Sequence, residues 1–129
     1  MAVTAGPTNN STPGNFNTNL VQFAVAANNT ISIAATFQNC CSSDSGPALA
    51  ASATELAFPF LSESTSGSVN SVSLVTYTAQ VNGTLAASPV EFLNETAFGS
   101  PAAAFFGGNL YLAWTGTDGA RTLNIAQVQ

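Results

Sequence analysis

The sequence contains neither histidine nor lysine, and Arg121 is its single basic residue. Without histidine or lysine, the chain cannot form a Ser-His-Asp triad, a Cys-His pair or a Schiff base. Zinc sites made of histidines or of four cysteines are excluded as well, because Cys40 and Cys41 are the two cysteines present. Carboxylate pairs remain, and the closeness of Glu91 and Glu95 in the sequence is by itself no evidence of a shared site. We therefore expect a protein that is not an enzyme and that holds no metal or cofactor.

Charged residues are also scarce, at 5% of the chain, and the formal net charge is -5. One cation cannot neutralise a phosphate backbone or anchor the chain to an acidic lipid surface. Because no apolar run approaches the about 18 residues of a membrane-spanning helix, we expect neither a nucleic-acid nor a membrane partner. The opening "MAVTAGPTNN" lacks the basic and apolar regions of a signal peptide. The compartment stays open, with a secreted or extracellular protein favoured.

Short segments rich in β-branched and aromatic residues, each bounded by Gly, Asn, Ser or Pro, predict an all-β fold. The segments are "LVQFAV", "TISIAATF", "ELAFPFL", "VSLVTYTAQV", "TLAASPVEFL", "NLYLAW" and "TLNIAQV". The alanine-rich "GPALAAS" and "SPAAAFFGG" are short, begin on proline and lead into stronger strands, so we interpret them as strands too. The adjacent Cys40 and Cys41 fall in "QNCCSSDSG", which we interpret as a loop. Such a pair can form a strained disulfide, stay reduced or pair between chains.

The region from 107 to 125 predicts a β-hairpin. Its strands are Asn109 to Thr115 and Arg121 to Ile125, and its turn carries Asp118 and Gly119. An Asp-Gly pair between apolar runs favours such a turn, because glycine adopts positive φ at little cost.

The chain also repeats itself at a constant spacing, the one that separates Leu20 from Leu74, which we call the repeat offset. At this offset "GPALA" falls on "SPAAA", and "ELAFPF" falls on "NLYLAW". The match is poor between 38–44 and 92–98. We predict an N-terminal segment, 1–19, that is a partial blade or exchanged strand, followed by repeats at 20–73 and 74–129.

A repeat as long as 20–73 that contains four antiparallel strands is typical of a β-propeller blade. The second strand of a blade lies between neighbouring blades, which explains the apolar residues on both faces from Leu110 to Trp114. Two blades cannot close a ring or cover their own faces. We therefore expect a homo-oligomer, with three copies forming six blades.

"SPAAAFFGGNLYLAWTGTDGARTLNIA" resembles the repeat of lectin-like β-propellers of bacteria and fungi. The similarity lies in the Pro-Ala start, the glycine turn, the "LYLAW" strand and the Gly-Thr-Asp turn, and "LNETAFGSP" resembles their connection between blades. The first repeat departs from this pattern, with Phe60 in place of tryptophan and "SESTSG" in place of the Asp-Gly turn. The resemblance implies a propeller that binds carbohydrate, that is, a glycan partner.

The candidate ligand-binding residues are Trp114, Tyr111, Arg121, Asp118 and Glu95. Trp114 falls on Phe60 in the repeat, which favours packing between blades over stacking on a sugar. Asp118 is a turn former or a ligand contact. Arg121 pairs with a surface carboxylate or donates to sugar hydroxyls. Two functions stay open: a lectin, or a structural module whose repeats exist to pack and assemble.

Overall fold

A computed structural model describes residues 2–7, 16–43, 46–62 and 70–128 of the chain. This part of the chain consists of strands and connections, which confirms the all-β class. None of its described residues form a helix long and apolar enough to cross a membrane. The strands are β1 (Ala2–Pro7), β2 (Phe16–Val25), β3 (Ile31–Ser43), β4 (Ala50–Ala51), β5 (Glu55–Ser62), β6 (Ser71–Ala79), β7 (Leu85–Ala87), β8 (Glu91–Thr96), β9 (Ala102–Phe106), β10 (Asn109–Thr115) and β11 (Leu123–Val128).

The strands form three antiparallel sheets, which we call the N-sheet, the middle sheet and the C-sheet. The N-sheet has the order β1-β2-β3, and the C-sheet has the order β9-β10-β11. The middle sheet has the order β4-β5-β6-β7, and β8 also pairs with β6. The described residues do not close these sheets into a ring.

Two apolar clusters hold the three sheets together in a stack, in which the middle sheet lies between the N-sheet and the C-sheet. One cluster joins the middle sheet to the N-sheet and contains Leu20, Phe58, Phe60, Val75 and Tyr77, with Phe37 packed against it. The other joins the middle sheet to the C-sheet and contains Ala57, Leu61, Val72, Leu74, Ala97, Leu110, Leu112 and Trp114. Successive strand residues point to opposite faces, so each face of β5 supplies one cluster. This explains why β5 is buried continuously from Ala57 to Ser62.

The C-sheet is covered on one face, and this differs from the expectation for β10. Leu110, Leu112 and Trp114 are buried against the middle sheet, whereas Tyr111 and Ala113 on the other face are half-buried. Both faces of β10 are apolar, but within the described residues a neighbouring sheet, the middle sheet, covers one of them.

Strand pairing recurs at the repeat offset. The pairs Leu20–Phe37 and Phe23–Ile33 recur as Leu74–Glu91 and Tyr77–Ala87. The β4–β5 pair Ala50–Ala57 likewise recurs as Ala104–Tyr111 between β9 and β10. By contrast, the β10–β11 register lies three residues away from that of β5–β6. The division into a segment and two repeats stays a prediction.

The turns after β2 and β6 recur in the same way. Asn28 and Asn82 accept hydrogen bonds through Oδ1 from the backbone N–H groups of Thr30 and Thr84, at 3.0 and 3.1 Å. Asn29 has φ 62° and Gly83 has φ 81°. Both residue types tolerate the left-handed region, so the two turns share one backbone shape.

The predicted loop containing Cys40 and Cys41 is instead the end of β3, a strand that runs to Ser43. Its register against β2 shifts between Asn17 and Asn19, and the same shift occurs between β6 and β8 at Ser71 and Ser73. The region in which the sequences match poorly therefore pairs alike in both places. The two cysteine side chains lie outside the described residues.

"TLAASPVEFL" forms two strands, β7 and β8, rather than the single strand predicted. The break falls at Ser88 and Pro89. Ser88 Oγ accepts a hydrogen bond from the Thr76 N–H at 3.0 Å and donates to the Pro89 carbonyl at 3.0 Å. Proline has no N–H for a strand ladder, so the pairing stops and resumes after it.

Candidate functional site

The segment "LNETAFGSP", whose first residues form the end of β8, lies against the turn segment "TGTDGAR". Ala97 forms an antiparallel bridge with Gly116, and the Phe98 N–H donates to the Thr115 carbonyl at 2.9 Å. The Thr96 and Thr117 hydroxyls are 2.6 Å apart and share a hydrogen bond. The end of β8 in the middle sheet is thus fastened to the end of β10 in the C-sheet.

Asp118 stabilises the turn between β10 and β11. Its carboxylate accepts hydrogen bonds from the N–H and the hydroxyl of Thr122, at 2.9 and 2.7 Å. These bonds, the hydroxyl first, hold the pKa of Asp118 below its ordinary value. Gly116 lies under this turn: an added Cβ would come within 2.9 Å of Asn124 Nδ2 and 3.2 Å of Asp118 Oδ1.

Arg121 takes the left-handed conformation that the sequence predicted for glycine. Its φ is 51°, whereas Gly119 is not in that region, and β11 begins at Leu123 rather than at Arg121. The hydrogen bonds from Thr122 to Asp118 accompany a turn whose left-handed residue lies two positions later in the chain than in an Asp-Gly hairpin turn. The corresponding "SESTSG" turn of the first repeat begins at Ser62, the last residue of β5, and the rest of it lies outside the described residues.

The Arg121 side chain stacks on an aromatic ring rather than pairing with Asp118. Its guanidinium carbon is 4.0 Å from the centroid of the Phe98 ring. A contact of this kind on an exposed surface contributes about 0.5–1 kcal/mol. Arg121 meets Asp118 through the backbone, where its N–H donates to the Asp118 carbonyl at 2.9 Å.

Trp114 and Tyr111, the two candidate stacking rings, lie on opposite faces of β10. Trp114 is 6% exposed and packs in the cluster between the middle sheet and the C-sheet. Its Nε1 is buried without a hydrogen-bond partner among the described residues. Tyr111 is on the outer face, where its hydroxyl donates to Gln127 Oε1 at 3.2 Å. The structure therefore does not bring the two rings together.

A cleft between the middle sheet and the C-sheet brings Glu95 together with Trp114. The cleft has two adjoining parts. The part that contains Glu95 and Trp114 has a volume of about 410 Å³, and its lining residues are Glu91, Leu93, Glu95, Trp114, Ala126, Gln127 and Val128. It adjoins a second part of about 550 Å³, lined by Glu55, Leu74, Thr76, Glu91, Phe105, Gly108, Asn109, Leu110, Gln127 and Val128. We call the two parts together the acidic cleft. Asp118, Arg121 and Tyr111 are not among the described residues that line it.

Two features of β8 open the acidic cleft. Glu91 occupies the position that Phe37 occupies one repeat earlier; Phe37 packs edge-on against Tyr77, with ring centroids 5.3 Å apart, and fills that interface. In addition, Asn94 has φ 54° within the register shift of β8. A bulge of this kind turns neighbouring side chains, here Glu95, toward a new direction.

Sequence reasoning missed Glu91, Leu93 and Gln127 as cleft residues. A signal for Glu91 was present, because the repeat offset places a carboxylate on the apolar Phe37. Leu93 and Gln127 carry no such signal, since their role depends on how two sheets meet. No group of three or more described Cys, Asp or Glu residues is positioned to hold a metal ion.

Comparison of the chain with protein-family models, with characterised proteins and with solved structures found no match. The resemblance to propeller lectins therefore stays a prediction, and the case for a function depends on the geometry of the chain itself.

Proposed function

We propose that the chain is a carbohydrate-binding module built of propeller-type blades, with its sugar site in the part of the acidic cleft that Glu95 and Trp114 line. Support for the blades comes from the stacking of meander sheets and from the recurrence of their register at the repeat offset. Support for the site comes from one observation above all: Glu91 replaces the ring that fills the equivalent interface. In a module whose repeats pack on each other, a residue that differs from its repeat equivalent can leave a cleft open. Such a cleft is where the module can acquire a ligand site.

The chemistry of the cleft suits a neutral polyhydroxyl ligand. Glu91 and Glu95 are acceptors for hydroxyl groups, and hydrogen bonds to charged groups contribute about 1.5–3 kcal/mol each. Leu93, Ala126 and Val128 provide an apolar floor, the combination typical of small-molecule sites. The formal net charge of -5 disfavours anionic ligands.

A glycan array probed with the whole chain tests this proposal, followed by titration calorimetry on any sugar found. We expect Glu95→Ala and Glu91→Ala each to weaken binding by about 1.5–3 kcal/mol, or about 10- to 150-fold. Glu55→Ala is the matched control, because it removes the same charge from the adjoining part of the cleft and should leave binding within about twofold. Equal losses in all three variants would indicate a charge effect and not a site.

The structural module without a ligand is the alternative, and the array separates the two. Absence of binding to every sugar at high protein density would contradict the carbohydrate proposal and leave the assembly role. Glu91 and Glu95 share a cleft, so the non-enzymatic expectation needs its own test. We expect no release of nitrophenol from aryl glycosides; release that Glu95→Gln abolishes would identify a glycosidase instead.

A further inference from the structure

The stack of sheets ends in two apolar faces that are largely exposed within the described residues. We call the outer face of the N-sheet the N-face. It contains Val21, Phe23 and Val25 of β2 with Ile31 and Ile33 of β3, and of these Val21, at 8% exposure, is buried. These residues alternate with Leu20, which packs on the middle sheet, and cross-strand partners share a face. Val25, Ile31 and Ile33 are each about two-thirds exposed.

The outer face of the C-sheet, which we call the C-face, is similarly apolar. It contains Ala113 paired with Ile125, and Thr115 paired with Leu123. Phe106 at the end of β9 lies on the same face. Leu123 and Ile125 are 66% and 67% exposed, and Phe106 is 77% exposed. Exposed apolar surface of this kind on both ends of one molecule indicates interaction surfaces.

The N-face repeats a face that is buried inside the chain. At the repeat offset, Val21 and Phe23 correspond to Val75 and Tyr77, which belong to the cluster covered by the N-sheet. Ile31 corresponds in the same way to Leu85, which packs against the same cluster. The N-face is therefore the kind of face on which, one repeat later, a neighbouring sheet packs.

The β10 part of the C-face repeats the opposite buried face. One repeat earlier, Tyr111, Ala113 and Thr115 correspond to Ala57, Pro59 and Leu61, which are buried against the C-sheet. Each internal interface therefore joins a face that is equivalent, at the repeat offset, to the face of Ala57 with a face that is equivalent to the face of Tyr77. We call these two kinds of face the Ala57 kind and the Tyr77 kind. Among the described residues, one face of each kind stays largely exposed, at opposite ends of the stack.

We propose that the partner for these faces is a second copy of the chain, stacked head to tail so that the C-face of one copy packs on the N-face of the next. The contact uses two different surfaces, so successive copies form a ring if their rotation closes and an open fibre if it does not. The described residues of the two faces carry no formal charge, which removes electrostatic opposition to the contact. This proposal is independent of sugar binding.

Two single substitutions and their mixture test the proposal by light scattering coupled to size exclusion. The wild-type chain should give masses above the 13.0 kDa of one copy. Ile31→Asp places a carboxylate on the N-face and Ile125→Asp places one on the C-face. Burial of an unpaired charge should weaken self-association at least about 100-fold, so each variant alone should be monomeric.

The mixture distinguishes head-to-tail contacts from contacts between like faces. Ile31→Asp keeps a good C-face and Ile125→Asp keeps a good N-face, so an equimolar mixture should form a one-to-one dimer and stop there. A variant that still dimerises alone would show pairing of like faces and overturn the proposal. Two monomeric variants that fail to combine would overturn it, as would a monomeric wild-type chain.

The controls separate assembly from folding. Val81→Asp adds the same charge at a fully exposed turn and should assemble like the wild type. Fluorescence of Trp114, the single tryptophan, reports whether the middle sheet and the C-sheet still pack. If either substitution disturbs that signal, Val25→Asp on the N-face and Leu123→Asp on the C-face replace the first pair.

Discussion

Replacing Trp114 by phenylalanine separates the packing of its ring from the effect of its N–H group. Nε1 is buried with no partner among the described residues, and an unsatisfied buried donor costs about 1–3 kcal/mol. Phenylalanine removes that cost but has two carbons and one nitrogen fewer than tryptophan, and the lost packing is a cost of similar size. Because Phe60 fills the equivalent position, we expect Trp114→Phe to change the free energy of unfolding by about 1 kcal/mol or less. Trp114→Ala should cost about 3–5 kcal/mol.

Urea unfolding followed by far-ultraviolet circular dichroism measures both variants without using the tryptophan as a probe. With a slope of about 2 kcal/mol/M, the alanine variant should lower the midpoint by about 1.5 M or more. Protein concentration is held constant, because self-association shifts apparent stability. If Trp114→Phe destabilised the fold as much as Trp114→Ala, the indole N–H would be making a stabilising hydrogen bond. The account of Trp114 as a packing residue with an unsatisfied donor would then be refuted.

Three further substitutions test the turns. Gly116→Ala should destabilise the fold by about 1 kcal/mol in urea titrations, because its Cβ would displace Asn124 Nδ2, the end of a flexible side chain, and crowd the Asp118 carboxylate; an unchanged midpoint would contradict that contact. Thr122→Val should raise the pKa of Asp118 toward its ordinary value in an NMR titration, because it removes the hydroxyl donor. In the wild type the stabilisation from this carboxylate is complete above its unfolded pKa and disappears as pH falls through the lowered folded pKa. Gly83→Ala should cost about 1–2 kcal/mol through its positive φ, whereas Gly99→Ala, with equal space and no left-handed backbone, should cost nothing.

The strands were predictable because they depend on local pattern. Alternating apolar residues and Asn-centred turns specify a strand pair without reference to the rest of the chain, so the repeat offset between Leu20 and Leu74 carries over into the pairing register. The hairpin turn was predicted less well. Its shape depends on two hydrogen bonds from Thr122 to Asp118, which move the left-handed residue from Gly119 to Arg121.

The acidic cleft was beyond prediction from local pattern for a different reason. Its lining comes from β5, β6 and β8 of the middle sheet and from β9, β10 and β11 of the C-sheet, so no single segment contains it. Glu95 was a candidate because it lies in a recognisable connection. Trp114 was expected to pack, but its position beside Glu95 follows from the way the sheets stack. Tyr111 was separated from Trp114 by the alternation of β10, which a strict two-residue period would have indicated.

The acidic cleft and the two end faces can act independently, because they use different surfaces of the same sheets. Glu91 and Glu95 face the gap between the middle sheet and the C-sheet, whereas Ile125 lies on the opposite face of the C-sheet. The equivalent gap beside the N-sheet is filled by Phe37, so each chain has one such cleft among its described residues. Under the two proposals, head-to-tail stacking would add one proposed sugar site per copy without covering the sites of the other copies. Weak single sites repeated in this way bind a multivalent surface far more tightly than one site alone, so assembly would give the cleft its working affinity.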